Sequence, residues 1–125
     1  MSGNRRLDVA SAWVQLQRNW WAYDEVQDAV ENRPRKAWLL LGRIADLAST
    51  RELENDLGAG PLEDFVRRHA PKYIGQIERR ASEHERFRRA MGWVRLPRAR
   101  DPVSQRLFAL KCRPIEGDLA RWQLA

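Results

Sequence analysis

Apolar residues along this chain recur at the three-and-four spacing of α-helices, in segments cut by proline and glycine. In PRKAWLLLGRIADLA, residues 34–48, the side chains of Ala37, Trp38, Leu40, Leu41, Ile44, Ala45, Leu47 and Ala48 cover more than one stripe of a helix. That breadth predicts a central helix with neighbours on several sides. Pro34 stands at its first turn, where a missing N–H does no harm. Burying a side chain such as Leu41 or Ile44 contributes about 1.5–3 kcal/mol, so this segment supplies a large share of the core.

The flanking patterns add shorter elements. Leu7, Ala10, Trp13 and Val14 line one side of a helix over Leu7 to about Gln17, which Arg18 and Asn19 interrupt. Asn19 suits the N-cap of a second helix through about Glu31, with Tyr23, Val26 and Val30 inward. Ser49 and Glu52 have the capping-box spacing, which predicts a short helix to about Leu57 that Gly58 ends. The order Gly58, Ala59, Gly60, Pro61, Leu62, Glu63, Asp64 reads as a left-handed glycine stop followed by a proline start, with two acids at the positive end of the next dipole.

Leu62, Phe65, Val66 and His69 form the inner side of that fifth helix, which Pro71 is expected to close. From there Ile74, Ile77, Ala81, Phe87 and Met91 keep helical spacing, with a break near His84. Asp101 caps a helix begun by Pro102 and lined by Val103, Leu107, Phe108 and Leu110. Pro114 and Gly117 bound a last turn, and Leu119, Trp122 and Leu124 staple the tail to the body. No run of alternating β-branched residues and no Asn-Gly or Asp-Gly turn is present. The expectation is an all-α fold, a compact bundle of about seven or eight short helices in hairpins or a short α-solenoid-like stack. The lack of a repeat period favours the bundle.

Length and composition narrow this further. A chain of 125 residues fits a single helical domain over residues 1–125, and 43% hydrophobic with 32% charged residues is a globular balance. Cys112 is the one cysteine, so no internal disulfide forms, and MSGNRRLDVA lacks the apolar region of a secretory signal. A cytoplasmic location is expected. No run approaches the roughly 20 apolar residues of a membrane span.

Charge is unevenly placed. Between Arg79 and Arg100 eight arginines face only Glu83 and Glu85, so this segment carries the whole net charge of +6. Arg79, Arg80, Arg86 and Arg89 are expected to point away from the Ile74, Ile77, Ala81 series as a basic face, with Trp21 as a further anchor candidate. Local pairs of Glu85 with Arg88 or Arg89 and of Glu83 with Arg86 offset part of that charge.

The search for chemistry yields less. No nucleophile elbow, phosphate loop or dinucleotide fingerprint occurs. Cys112 lies between Lys111 and Arg113, which favours a thiolate, but its place beside Phe108 fits a small packing residue better. His69 and His84 lack the spacing of metal ligands. The acids Asp24, Glu25, Asp28 and Glu63, Asp64 fit solvated or dipole-matched helix positions better than an acid–base pair. No catalytic residue, metal or cofactor is expected.

WWAYDEV at residues 20–26, PRKAW at 34–38, GAGPLED at 58–64 and the block from Ile74 to Trp93 with IERRA and FRRAMGWV resemble an uncharacterised family of bacterial helical proteins, a domain of unknown function. Its motif positions include Trp38, Gly58, Gly60, Pro61, Glu63 and Asp64. The likeness covers roughly residues 20–94, the middle three fifths, and leaves the tail after Pro97 as a C-terminal helical extension over about 101–125. It departs from the family pattern in the order Trp93-Val94, where the family more often has Val-Trp. The resemblance implies an all-α fold and carries over no catalytic residue. The function expected from these readings is a non-enzymatic protein-binding module for a partner with an acidic surface, an immunity or inhibitor protein for a cognate toxin being its most concrete form. The alternatives are a nucleic-acid-binding module using residues 79–100 and an enzyme with an acidic site around Asp24 and Glu63.

Overall fold

The computed structural model describes residues 8–15 and 20–115. Among them the chain order is α1 (Val9–Val14), α2 (Trp20–Asn32), α3 (Pro34–Leu47), α4 (Arg51–Gly58), α5 (Pro61–Glu83), α6 (Glu85–Met91), β1 (Arg95–Leu96), α7 (Pro102–Ala109) and β2 (Arg113–Pro114). Leu7, the break at Arg18 and Asn19, and the tail residues Gly117, Leu119, Trp122 and Leu124 lie outside the described residues.

α3 is the centre, as the width of its apolar surface requires. It touches α1, α2, α4, α5 and α6 and buries Ala37, Leu41, Ile44 and Ala45 completely or nearly so. One strip stays open: Leu39 is 70% exposed. Trp38 ties α3 to two neighbours, with ring centroids 5.7 Å from Phe65 on α5 and 5.6 Å from Phe87 on α6. Such offset and edge contacts add to the area that the rings bury.

Side-chain caps set the starts of α1, α4 and α7. The Asp8 carboxylate accepts the Ser11 N–H at 3.0 Å to begin α1, and that of Asp101 accepts the Ser104 N–H at 2.9 Å to begin α7 ahead of Pro102. α4 begins one residue later than the capping box suggests. Thr50, not Ser49, is the cap, and its hydroxyl accepts the Leu53 N–H at 3.1 Å. His84 divides α5 from α6, where a break was expected.

Three expectations need correction. First, Pro71 does not end a helix: α5 runs unbroken through it for 23 residues. The proline ring removes one backbone bond, but Arg67 and Pro71 lie on the exposed side, where losing it costs less than in the core. The apolar series Leu62, Phe65, Val66, Ala70, Ile74, Ile77, Ala81 continues across the proline, so packing keeps both halves in line.

Second, Gly58 and Gly60 supply no left-handed stop. Gly58 is the last residue of α4, and Gly60 has a φ of −116°. Their requirement is steric: a Cβ on Gly58 would lie 2.0 Å from the Ala90 carbonyl oxygen and 2.7 Å from Trp93 Cβ. One on Gly60 would lie 2.5 Å from the Asp56 carbonyl oxygen. Glycine lets α4 press directly on the end of α6.

Third, the helices are accompanied by a two-residue parallel pair. After α7, Lys111 turns the chain with a φ of 70°, and Arg113 and Ile115 then donate to the carbonyls of Val94 at 2.7 Å and Leu96 at 3.0 Å. The class remains all-α, with seven helices among the described residues packed on one another. None of these is long and apolar enough to cross a membrane.

Candidate functional site

The break at His84 turns α6 back over α3 and α4, and that turn decides what the arginines do. Arg80 reaches beneath α3, where Nη2 donates to the Gly42 carbonyl at 3.0 Å and to Asp46 at 3.1 Å. Its side chain is only 22% exposed. The guanidinium fits because residue 42 is glycine, whose Cβ would stand 2.8 Å from Arg80 Cζ. Arg86 donates through Nη1 to the Asp46 carbonyl at 2.7 Å.

Arg89 is gripped from two sides, by Glu54 at 2.9 Å and by Glu85 at 3.0 Å. Hydrogen bonding to Glu54 is the main reason its guanidinium holds its proton even more firmly than usual. Glu54 is the buried charged residue among those described. The expected Glu85–Arg89 pair therefore exists, whereas Arg86 bonds to Asp46 and not to Glu83. Three of the four arginines thus pin helices together instead of forming a free basic face.

Arg79 differs. It is exposed and makes no ion pair or side-chain hydrogen bond among the described residues. It lines a pocket of about 170 Å³ with Trp38, Gln76, Glu83 and His84. Leu39 follows Trp38 on α3, and Arg35 and Lys36 stand one turn earlier, both exposed and without a carboxylate partner among the described residues. α3 thus presents exposed apolar and cationic groups and α5 an exposed cation, designated together the α3–α5 face. Trp21 is half-buried and packs against the core, and among the described residues the tryptophan that projects is Trp20, at 72% exposure.

The acidic candidates Glu63 and Asp64 are engaged by neighbouring side chains and backbone. Glu63 accepts the Arg95 N–H at 2.8 Å, while Asp64 takes Arg68 at 3.0 Å and Gln27 at 3.1 Å. Asp24 lies on α2 and Glu63 in the first turn of α5, held by Arg95. Cys112 is buried, and that burial pushes its thiol up to about 12, so Lys111 and Arg113 do not make it a nucleophile. Among the described residues no group of His, Cys, Asp and Glu is placed to hold a metal ion.

Sequence reasoning missed a second basic site. The start of α4, the corner after α6 and β2 enclose an open cleft of about 510 Å³ lined by Thr50, Arg51, Glu54, Arg89, Trp93 and Arg113. The Arg113 guanidinium lies 4.3 Å from the Trp93 ring centroid and that of Arg51 5.8 Å. Neither arginine has a carboxylate partner among the described residues. Arg51 and Arg113 are far apart in sequence, and nothing local to either marks it. The left-handed turn at Lys111 and the β1–β2 pairing bring them together.

A model for a family of unknown function (DUF6869) matches residues 11–115, most of the chain, and the chain belongs to that family. The match extends past Pro97 through α7 and β2, beyond the motif blocks that carry the resemblance, in keeping with the contacts of α7 on α5 and of β2 on β1. No curated protein and no solved structure matches the chain.

Proposed function

We propose that this member of a family of unknown function is a non-enzymatic protein-binding module whose partner presents an acidic surface with an apolar anchor. An immunity or inhibitor protein acting on a cognate toxin in a bacterial cytosol is the most concrete form of this reading. The observations that carry it are two exposed groups, Leu39 on α3, 70% exposed and next in sequence to half-buried Trp38, and Arg79 on α5, which makes no ion pair among the described residues. Arginine and tryptophan are favoured interface anchors, and exposed cationic and apolar side chains complement a partner that presents acidic and apolar groups. Arg80 and Arg86 support this by bracing α5 and α6 against α3, which keeps the face rigid and lowers the ordering cost of binding.

The test begins with partners purified from the source cells. The affinity of a captured partner is then measured for the native chain, for Leu39→Asp and for Arg79→Glu combined with Arg35→Glu. The expectation is a loss of at least about tenfold for each variant, equivalent to about 1.4 kcal/mol, with unchanged thermal midpoints. Equal affinity for all three proteins would remove this face. Retention on generic DNA or RNA at low ionic strength, with a steep fall on adding salt, would replace the protein partner with nucleic acid.

A further inference from the structure

We infer that the cleft between the start of α4 and the Trp93 corner is a carboxylate-binding site, taking the acidic side chains of a peptide between Arg51 and Arg113. This inference is independent of the α3–α5 face. A guanidinium set against an indole keeps its planar fork ordered while its N–H edges remain available, so less side-chain freedom is lost when an oxyanion binds. Arg113, 4.3 Å from the Trp93 ring centroid, has this arrangement, and Arg51 adds a second cation to the same ring.

Lys111, two residues before Arg113, takes the left-handed conformation that commonly ends a helix, with a φ of 70°, and so turns the chain after α7 back toward β1. The cleft wall is the buried Glu54 held by Arg89, so the nearest arginine is already neutralised and Arg51 and Arg113 supply the unbalanced charge.

Because Arg89 neutralises Glu54, the cleft is net positive through Arg51 and Arg113, whose planar forks match the two oxygens of a carboxylate. The Trp93 ring completes the recognition as an apolar surface for the methylene stem of a glutamate.

The experiment uses the full chain and a fluorescein-labelled glutamate-rich peptide, followed by anisotropy, beside a peptide of the same length with phosphoserine at the acidic positions. The glutamate peptide is expected to bind with an affinity that falls as salt is added. Arg51→Gln and Arg113→Gln should each weaken it by about tenfold, and Arg113→Lys by less, because charge remains but the fork is lost. Arg79→Gln should bind like the native chain, and thermal midpoints should not move. Absence of binding at low salt, or native affinity in Arg51→Gln and Arg113→Gln, would overturn the site. Binding of the phosphoserine peptide more than about tenfold tighter would overturn the carboxylate assignment. Variants of Leu39 and Arg79 test the other face, so either reading can fail alone.

Discussion

Arg89 and Arg113 line the same cleft, yet they have opposite roles. Arg89 is locked between a buried and an exposed carboxylate, and its removal disturbs the seam between α4 and α6. Arg113 rests on an aromatic ring and makes no ion pair among the described residues. The same contrast separates Arg80 from Arg79, neighbours on α5: one is threaded under α3 and the other faces water. An arginine acts as a fastener or as a contact according to whether a second element brings a carboxylate or carbonyl to it.

The strongest way to break the fastened side is to separate the helices. Gly58→Ala places a Cβ 2.0 Å from the Ala90 carbonyl oxygen, backbone against backbone, so α4 must move off α6. We expect a loss of about 3 kcal/mol in denaturant unfolding; an unchanged midpoint would mean that the seam yields freely. Next is Glu54→Ala, which removes a carboxylate that is 8% exposed and leaves Arg89 with Glu85 alone. The loss should be about 2 kcal/mol, less than for a fully buried pair because Arg89 reaches solvent.

Arg80→Ala leaves the buried Gly42 without its guanidinium donor to the carbonyl and should cost about 1–1.5 kcal/mol. Arg79→Ala, one residue away, should change stability by no more than about 0.5 kcal/mol. Equal effects of the two in thermal unfolding would erase the distinction between fastener and contact.

The smallest effect is expected on α7 in acid. Hydrogen bonds from the Ser104 backbone and hydroxyl hold the Asp101 carboxyl below the usual range, and a hydrogen bond from Arg106 does the same for Glu78, which joins α5 to α7. A carboxyl with a lowered folded-state pKa contributes stability above its unfolded value, about pH 4, and loses it as the pH falls through the folded value. Protection factors of α7 amides, corrected for the intrinsic exchange rate, should therefore fall below about pH 4 before those of α3 do. Simultaneous loss in both helices would show that α7 is not held by these groups.

Much of the helical plan is legible locally because caps and prolines act on their own neighbours. Pro34, the Asp101-Pro102 start and the break at His84 are all where residue chemistry places them. Pro71 misleads for the converse reason: a proline normally signals a boundary, but apolar packing on both sides of it outweighs one lost backbone bond. The candidate surfaces were less readable. Arg79 and Trp38 could be named from the pattern, whereas Arg80, Arg86 and Arg89 face partners on α3 and α4 that no local rule connects to them.

The sequence by itself determines the helical class, the central place of residues 34–48 and most helix starts, because periodic burial and end-capping depend on residues a few positions apart. Tertiary structure alone decides which cations remain available, why Gly58 must lack a side chain, and that Arg51 meets Trp93 and Arg113. Those outcomes depend on distances between segments remote along the chain, set by how α6 folds over α3 and how Lys111 returns β2 to β1.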